Sequence, residues 1–167
     1  MLRLYHGSNV CFDFPNFLYF KDKKDFGKGF YMTDNLKTAT DWALRYRKRG
    51  ISREAYLYSA VVDLQQLRKL IKVHEYRLDV PWLDFVIKNR NDRSFVPSED
   101  LIIGPTADAH AQVLIEDFCV YKGGLDADIT SKKNLIKNLH TENLAKQYCF
   151  RTELAISYLV NFQRRTL

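Results

Sequence analysis

The sequence has few of the residues that mark disulfide scaffolds, linkers and membrane spans. Its 167 residues include three cysteines, four prolines and seven glycines. Cys11, Cys119 and Cys149 form no CxxC pair and no zinc spacing, so we expect reduced thiols and no metal site. No apolar run approaches the roughly 20 residues that span a bilayer, and Met1–His6 lacks a signal-peptide core. These absences predict a cytoplasmic protein that stays out of the membrane.

Motifs of several common enzyme classes are missing as well. The chain contains no GxxxxGK[ST], no HExxH and no GxSxG segment. These patterns mark phosphate-binding loops, zinc proteases and serine hydrolases. Gly27-Lys-Gly29 lacks the third glycine of a dinucleotide fingerprint and precedes a predicted strand rather than a helix. The familiar nucleotide-triphosphatase, hydrolase and dehydrogenase mechanisms therefore have no support in the sequence.

The order of predicted elements indicates one α+β domain over residues 1–167. Hydrophobic residues make up 46% of the chain and charged residues 28%, which is ordinary globular usage. Short strands and helices do not alternate as β-α-β, which argues against a doubly wound parallel sheet and favours antiparallel pairing. The patterns predict strands over 2–6, 29–33, 54–64, 100–104 and 146–151, and helices over about 36–49, 79–91, 109–122 and 127–139, with a last helix after Thr152.

The net charge is positive, and the basic residues are dispersed along the sequence. Lys and Arg number 26 against 20 Asp and Glu, a balance of +6. Such a surface suits an acidic partner or a phosphate-bearing ligand. The basic residues form no single stripe, so a nucleic-acid-binding module is an alternative rather than the leading interpretation.

Three short segments carry the chemical signal when they are taken together. Tyr5-His6-Gly7-Ser8 ends the first predicted strand. Asp25–Thr33 contains Gly-Lys-Gly-Phe-Tyr and is followed by Trp42, eleven residues after Tyr31. Gln147–Arg151 forms the last predicted strand. Each segment alone has an ordinary structural explanation, such as a turn or core packing.

In this order the segments resemble the ADP-ribosyltransferase superfamily, and more closely its histidine–tyrosine–glutamate branch, which includes diphtheria toxin and the poly(ADP-ribose) polymerases. There a strand ends in His-Gly-Ser/Thr, a later strand carries Gly-x-Gly-x-Tyr with a second aromatic eleven residues on, and a late strand begins with Glu. The likeness implies a single α+β domain of split antiparallel sheets with inserted helices. It also implies NAD as co-substrate and no metal.

The likeness extends to an uncharacterised bacterial family with this fold. Similar stretches are Asp-Phe-Gly-Lys-Gly-Phe-Tyr at 25–31, Ile-Gly-Pro-x-Ala-Asp at 103–108 and Phe-x-Thr-Glu at 150–153. This resemblance implies a bacterial, intracellular, toxin-like protein with a small neutralising protein partner. The expected activity is mono-ADP-ribosylation of an unknown protein or nucleic-acid acceptor, with release of nicotinamide.

Residue types at these positions suit NAD chemistry. Cleavage of the nicotinamide–ribose bond passes through an oxocarbenium-like ribose, as glycoside cleavage does. Tyr31 and Trp42 are predicted to clamp the nicotinamide ring, and Gly7 to present its backbone to the carboxamide. His6 and Ser8 would hydrogen-bond the ribose. Lys28 is predicted to contact the pyrophosphate. We expect these residues to line one cleft.

Gln147 departs from the resemblance, because Glu is expected there. Its amide oxygen can accept from a ribose hydroxyl but carries no charge. We therefore expect slow turnover, and a gain in NAD cleavage for Gln147→Glu. Glu153 is the alternative carboxylate, since its even offset would put it on the Gln147 face if the strand continued, although it also suits a helix start. A catalytically inactive protein that binds NAD, ADP-ribose or a partner is the rival interpretation.

Overall fold

The computed structural model describes residues 1–22, 24–107, 109–139 and 145–167. These ranges contain seven β-strands and six α-helices. The strands are β1 (Leu2–Ser8), β2 (Phe30–Thr33), β3 (Tyr56–Val62), β4 (Val73–Glu75), β5 (Leu101–Pro105), β6 (Lys146–Phe150) and β7 (Val160–Thr166). The helices are α1 (Leu36–Lys48), α2 (Leu64–Leu70), α3 (Val80–Asn91), α4 (Ala109–Lys122), α5 (Ile129–Asn138) and α6 (Glu153–Ser157).

All seven strands join one sheet in the order β4-β5-β6-β2-β1-β3-β7. Its neighbours are antiparallel except for β4 and β5, which run parallel. The sheet is narrowest at its middle, where β1 and β2 pair only through Tyr5 and Thr33. A three-strand arm (β1, β3, β7) and a four-strand arm (β2, β6, β5, β4) therefore meet at a joint one residue pair long.

Each face of the sheet carries its own hydrophobic core. On one face, Trp82 and Val86 of α3, Ile115 of α4 and Ile136 of α5 pack against Cys149 of β6. On the opposite face, residues from both arms of the sheet pack with α2 and α6: Leu4, Phe30, Ala60, Val62, Leu67, Ile103, Tyr148, Phe150, Ala155 and Ile156. The face on which a candidate side chain lies therefore decides which of the two cores it contacts.

Side-chain caps explain where the helices begin. Asn35 accepts from the backbone N–H of Thr38, and Asp79 accepts from that of Trp82. Thr152 does the same for α6 through the N–H of Ala155. These short polar side chains satisfy amide groups that have no partner within the helix. No helix in the described ranges is long and apolar enough to cross a membrane.

The prediction of an α+β fold is confirmed, and the observed elements differ from it in detail. The predicted split into antiparallel sheets is wrong, because all seven strands form one sheet in which β4 and β5 run parallel; the weakest point of that sheet is the single Tyr5–Thr33 pair. Three elements were not predicted: α2, β4 and β7. Asp108, the last residue of the 103–108 stretch, lies outside the described residues.

Candidate functional site

The candidate site lies where β1 leaves β2. All seven residues of β1 pair with β3, but among the described residues only Tyr5 pairs with β2. His6, Gly7 and Ser8 therefore continue along β3 while β2 turns away. The result is an interruption in the sheet, with the His6–Ser8 segment on one side and Tyr31 on the other. The first two sequence segments thus meet at the joint of the sheet.

A side chain bridges this interruption. His6 Nδ1 lies 2.7 Å from the backbone oxygen of Tyr31. A carbonyl oxygen only accepts, so Nδ1 carries the proton and Nε2 remains an acceptor. The His6 ring lies among Phe12, Phe30 and Tyr58, with 4.6 Å between its centroid and that of Phe30. We call these four residues the aromatic cluster.

Burial keeps the His6 imidazole neutral. Removal from water lowers its pKa from 6.5 to about 4, and the bond to Tyr31 offsets only part of this shift. A neutral ring with a fixed tautomer can accept a hydrogen bond from a hydroxyl group through Nε2. At neutral pH it cannot serve as a cation or as a proton donor through that atom.

The tight approach of α1 explains why residue 7 is glycine. A Cβ built on Gly7 would lie 2.0 Å from the backbone oxygen of Ala39 and 2.6 Å from the nitrogen of Ala43. Backbone atoms of a helix cannot yield to such a contact, so any side chain here would displace α1. The space beside Gly7 is therefore already filled by the helix, on the face opposite the His6 ring.

The phenol of Tyr31 is fixed by the loop that precedes β2. Its hydroxyl donates to the oxygen of Gly27 at 2.6 Å and accepts from the N–H of Phe26 at 3.0 Å. Burial raises the pKa of Tyr31 well above its usual value, and the neighbouring Cys149 and Asp25 add to this. The ring is thus neutral and held at both ends, by its strand and by its hydroxyl.

Gln147 is a buried hydrogen-bond donor rather than a solvated surface residue. It pairs with Thr33 on one side and Gly104 on the other, and only 7% of it is exposed. Its Nε2 lies 3.1 Å from Asp25 Oδ2 and 3.1 Å from the backbone oxygen of Pro105. The amide nitrogen therefore has two acceptors to bind.

Asp25 connects Gln147 to an arginine on α3. Its Oδ1 accepts from Nε of Arg90 at 3.0 Å and also from Nη2 of the same guanidinium. Its Oδ2 accepts from the N–H of Ala107 at 3.2 Å in addition to Gln147. The two charged side chains are only 11% and 16% exposed. We call Asp25, Arg90 and Gln147 the carboxylate cluster.

The two clusters lie on opposite faces of the sheet. Side chains alternate along a strand. Tyr31 and its partner Cys149 face the core formed with α3, α4 and α5, and Gln147 shares that face with Cys149. Phe30, which contacts His6, faces the other core. The structure therefore groups Tyr31 with Gln147 and Asp25, while His6 lies on the other face and reaches the backbone oxygen of Tyr31. The expectation that His6 and Gln147 line one cleft is wrong, because their side chains point to opposite faces of the sheet.

The remaining predicted site residues lie further from this centre or have local partners. Ser8 accepts from the N–H of Val10, and the ammonium of Lys28 sits 4.6 Å from the ring centroid of Phe17. Trp42 is 41% exposed on α1, with the guanidinium of Arg45 4.8 Å from its ring. Glu153 is exposed in the first turn of α6. Because β6 ends at Phe150, the continued strand that would align Glu153 with Gln147 does not exist.

Sequence reasoning missed both charged members of the carboxylate cluster. Asp25 opens the 25–31 stretch that carried the resemblance, so its position next to Gly-Lys-Gly was an available signal. Arg90 is 65 residues away in sequence and has no local signature. In the described ranges, no group of three or more His, Cys, Asp or Glu side chains could hold a metal ion.

Comparison with known proteins places the chain in a family. The model of DUF3990, a family of proteins of unknown function, matches residues 2–161. The chain belongs to the DUF3990 family. The match runs from the first residue of β1 to the second residue of β7, so both clusters fall within the DUF3990 region. No curated protein and no solved structure matches the sequence.

Proposed function

We propose that this DUF3990 protein is an NAD-binding, ADP-ribosyltransferase-like domain. The carrying observation is the interruption between β1 and β2, where His6, Gly7 and Ser8 stand opposite Tyr31 and His6 joins the two strands. The next strand, β6, adds Gln147 beside Tyr31 and Asp25. The order of the three segments along the chain is the one that the ADP-ribosyltransferase resemblance requires.

The reaction that fits these residues is transfer of ADP-ribose from NAD to a nucleophile. The bond between C1′ of the ribose and the ring nitrogen of nicotinamide breaks, and nicotinamide leaves with the electron pair. C1′ then bonds to an acceptor atom, which loses its proton to solvent. The ribose carries positive charge on the way, so negative charge or the negative end of a dipole directed at it lowers the barrier.

Each candidate residue has a role that its surroundings permit. The fixed ring of Tyr31 offers a flat apolar surface to nicotinamide. Neutral His6, on the opposite face of the sheet from Gln147, holds β1 to the backbone of Tyr31 and so supports the position of that ring. Gln147 offers its amide oxygen, because its nitrogen is occupied by Asp25 and Pro105. Trp42, Ser8 and Lys28 stay predicted contacts to NAD, from α1, from the end of β1 and from the loop before β2.

A second candidate function is binding of NAD or ADP-ribose without catalysis. The observation that favours it is the neutral amide at position 147, whose neighbouring carboxylate is already neutralised by Arg90. Such a site recognises the nucleotide but offers little stabilisation to an oxocarbenium ion. Nicotinamide release separates the two functions, since only a catalyst produces it.

Titration calorimetry with NAD tests the shared requirement of both functions. We expect binding by the wild type, and a loss of about 1–3 kcal/mol for Tyr31→Ala, the scale of a lost aromatic contact and its buried area. Tyr19→Ala is the matched control, because Tyr19 is 81% exposed. Unfolding curves of both variants confirm that each is folded under the binding conditions.

The outcomes assign the function. Binding with nicotinamide released per enzyme molecule, and lost in Gln147→Ala, supports the transferase. Binding without release supports the non-catalytic protein. Failure of the folded wild type to bind NAD or ADP-ribose contradicts both.

A further inference from the structure

The orientation of the Gln147 amide is set by its neighbours. Nε2 faces a carboxylate oxygen of Asp25 and the carbonyl oxygen of Pro105, each at 3.1 Å. Both partners only accept hydrogen bonds, so the two N–H groups of the amide must point at them. Turning the amide over would place three oxygens together in a buried space, which is costly. The amide oxygen is consequently directed away from Asp25 and Pro105.

Asp25 has no free capacity for another role. Its Oδ1 accepts twice from Arg90, and its Oδ2 accepts from Gln147 and from the N–H of Ala107. A carboxylate offers about four acceptor positions, so all are used. Asp25 is thus suited to holding its neighbours in place, and it is not available as a proton acceptor for substrate.

We propose that Asp25 is a positioning residue that fixes the Gln147 amide with its oxygen toward the ribose of NAD, and that this pairing makes glutamine obligatory at position 147. The inference rests on the proposed function for the identity of the ligand. Its structural basis is the cluster of Asp25, Arg90, Gln147 and the backbone of residues 105 and 107.

This pairing reverses the expectation that glutamate at position 147 improves the site. A carboxylate there would face Asp25 Oδ2 and the oxygen of Pro105 at the distances now occupied by hydrogen bonds. Two carboxylates sharing a buried space repel, and one of them takes up a proton or moves away. Arg90 can balance one negative charge but not two. The missing Glu is therefore a consequence of the Asp that lies beside it.

The first test measures the NAD dissociation constant of three variants at neutral pH. We expect Gln147→Glu to bind at least about tenfold more weakly than the wild type, or ~1.4 kcal/mol. The double variant Asp25→Asn/Gln147→Glu should recover most of this loss, because the amide introduced at position 25 donates to the new carboxylate and Arg90 again faces one charge. The Asp25→Asn variant should also bind NAD more weakly. Its side-chain oxygen can accept from Arg90 or from Gln147, and its amide nitrogen then faces the other donor.

The second test measures NAD affinity as a function of pH. A contact with a purely structural role would not make the affinity of Gln147→Glu depend on pH differently from that of the wild type. Lowering the pH should restore NAD binding to Gln147→Glu relative to the wild type, because a proton shared between the two carboxyl groups rebuilds the hydrogen bond. The double variant should not share this recovery. Equal pH profiles for the single variant and the wild type would overturn the proposal.

The third test does not depend on NAD. Chemical unfolding of the wild type, both single variants and the double variant forms a thermodynamic cycle for positions 25 and 147. We expect the double variant to be more stable than the sum of the single effects predicts. Glu75→Gln is the matched control, a carboxylate-to-amide change in an exposed ion pair with Arg68 and Lys146.

The results separate the inference from the proposed function. If the wild type binds no NAD while the unfolding cycle shows coupling, the function is wrong and the Asp25–Gln147 pairing stands. If the wild type binds NAD and Gln147→Glu binds it as tightly at neutral pH, the function stands and the inference is wrong. Additive single effects in the unfolding cycle also overturn the inference.

Discussion

The aromatic cluster and the carboxylate cluster remove titratable groups from water in two different ways. His6 lies among three aromatic rings and loses its charge, with a pKa lowered to about 4. Asp25 keeps a partner for its charge, because Arg90 and two N–H donors surround it. Burial of an ion is costly unless it is neutralised or paired. The two faces of one sheet joint therefore offer a neutral acceptor on one side and a compensated charge on the other.

The largest effect is expected from breaking the compensated charge. Arg90→Met leaves Asp25 buried without its cation, and the unfolding free energy should fall by about 3–5 kcal/mol. Arg68→Met removes an ion pair whose partners are 49% and 37% exposed, so it should cost less than about 1 kcal/mol. Urea unfolding of both variants checks the contrast. Similar losses in the two variants would show that the Asp25–Arg90 pair is no more important than a surface pair.

The contribution of His6 to the free energy of unfolding should depend on pH. Between pH 6.5 and about 4 the unfolded chain binds a proton at His6 more readily than the folded chain does. Stability from this group should therefore fall as the pH drops through that interval, by at most about 3 kcal/mol, and level off below it.

His6→Asn isolates this contribution, because its amide nitrogen can donate to Tyr31 but does not titrate. Unfolding free energies of wild type and variant across the interval give the measurement. Parallel curves would mean that His6 titrates normally in the folded protein.

Gly7→Ala tests how rigid the joint is between the two clusters. The added methyl group would meet the backbone of α1 at Ala39 and Ala43. We expect a loss of about 2 kcal/mol, typical of overpacking, together with weaker NAD binding as α1 shifts. Thermal unfolding and calorimetry measure the two effects, and a stability equal to that of the wild type would show that the helix adjusts freely.

The smallest effect is expected from Tyr31→Phe, which keeps the ring and removes the hydroxyl. The N–H of Phe26 and the oxygen of Gly27 lose their common partner, at a cost of about 1 kcal/mol. If the ring alone binds nicotinamide, NAD affinity should change far less than in Tyr31→Ala. Equal losses of affinity in the two variants would instead assign recognition to the hydroxyl.

Much of the local structure was accessible from the sequence. Helix starts at Asn35, Asp79 and Thr152 follow from short polar side chains that cap exposed N–H groups. The alternation over 146–151 predicts a strand with Tyr148 and Phe150 on one face, and the observed strand has that face and ends at Phe150. In contrast, β7 carries Asn, Gln and two arginines with little alternation, and its pairing with β3 is what makes it a strand.

The fold class and most element positions followed from the sequence alone, because these depend on neighbours a few residues apart. The spatial partners of the candidate residues became known only from the folded chain. Gln147 and Asp25 are 122 residues apart, and Arg90 reaches Asp25 from a helix in another part of the chain. A hydrogen bond depends on distance and orientation in space, and local periodicity carries no record of which distant acceptor a buried amide will face.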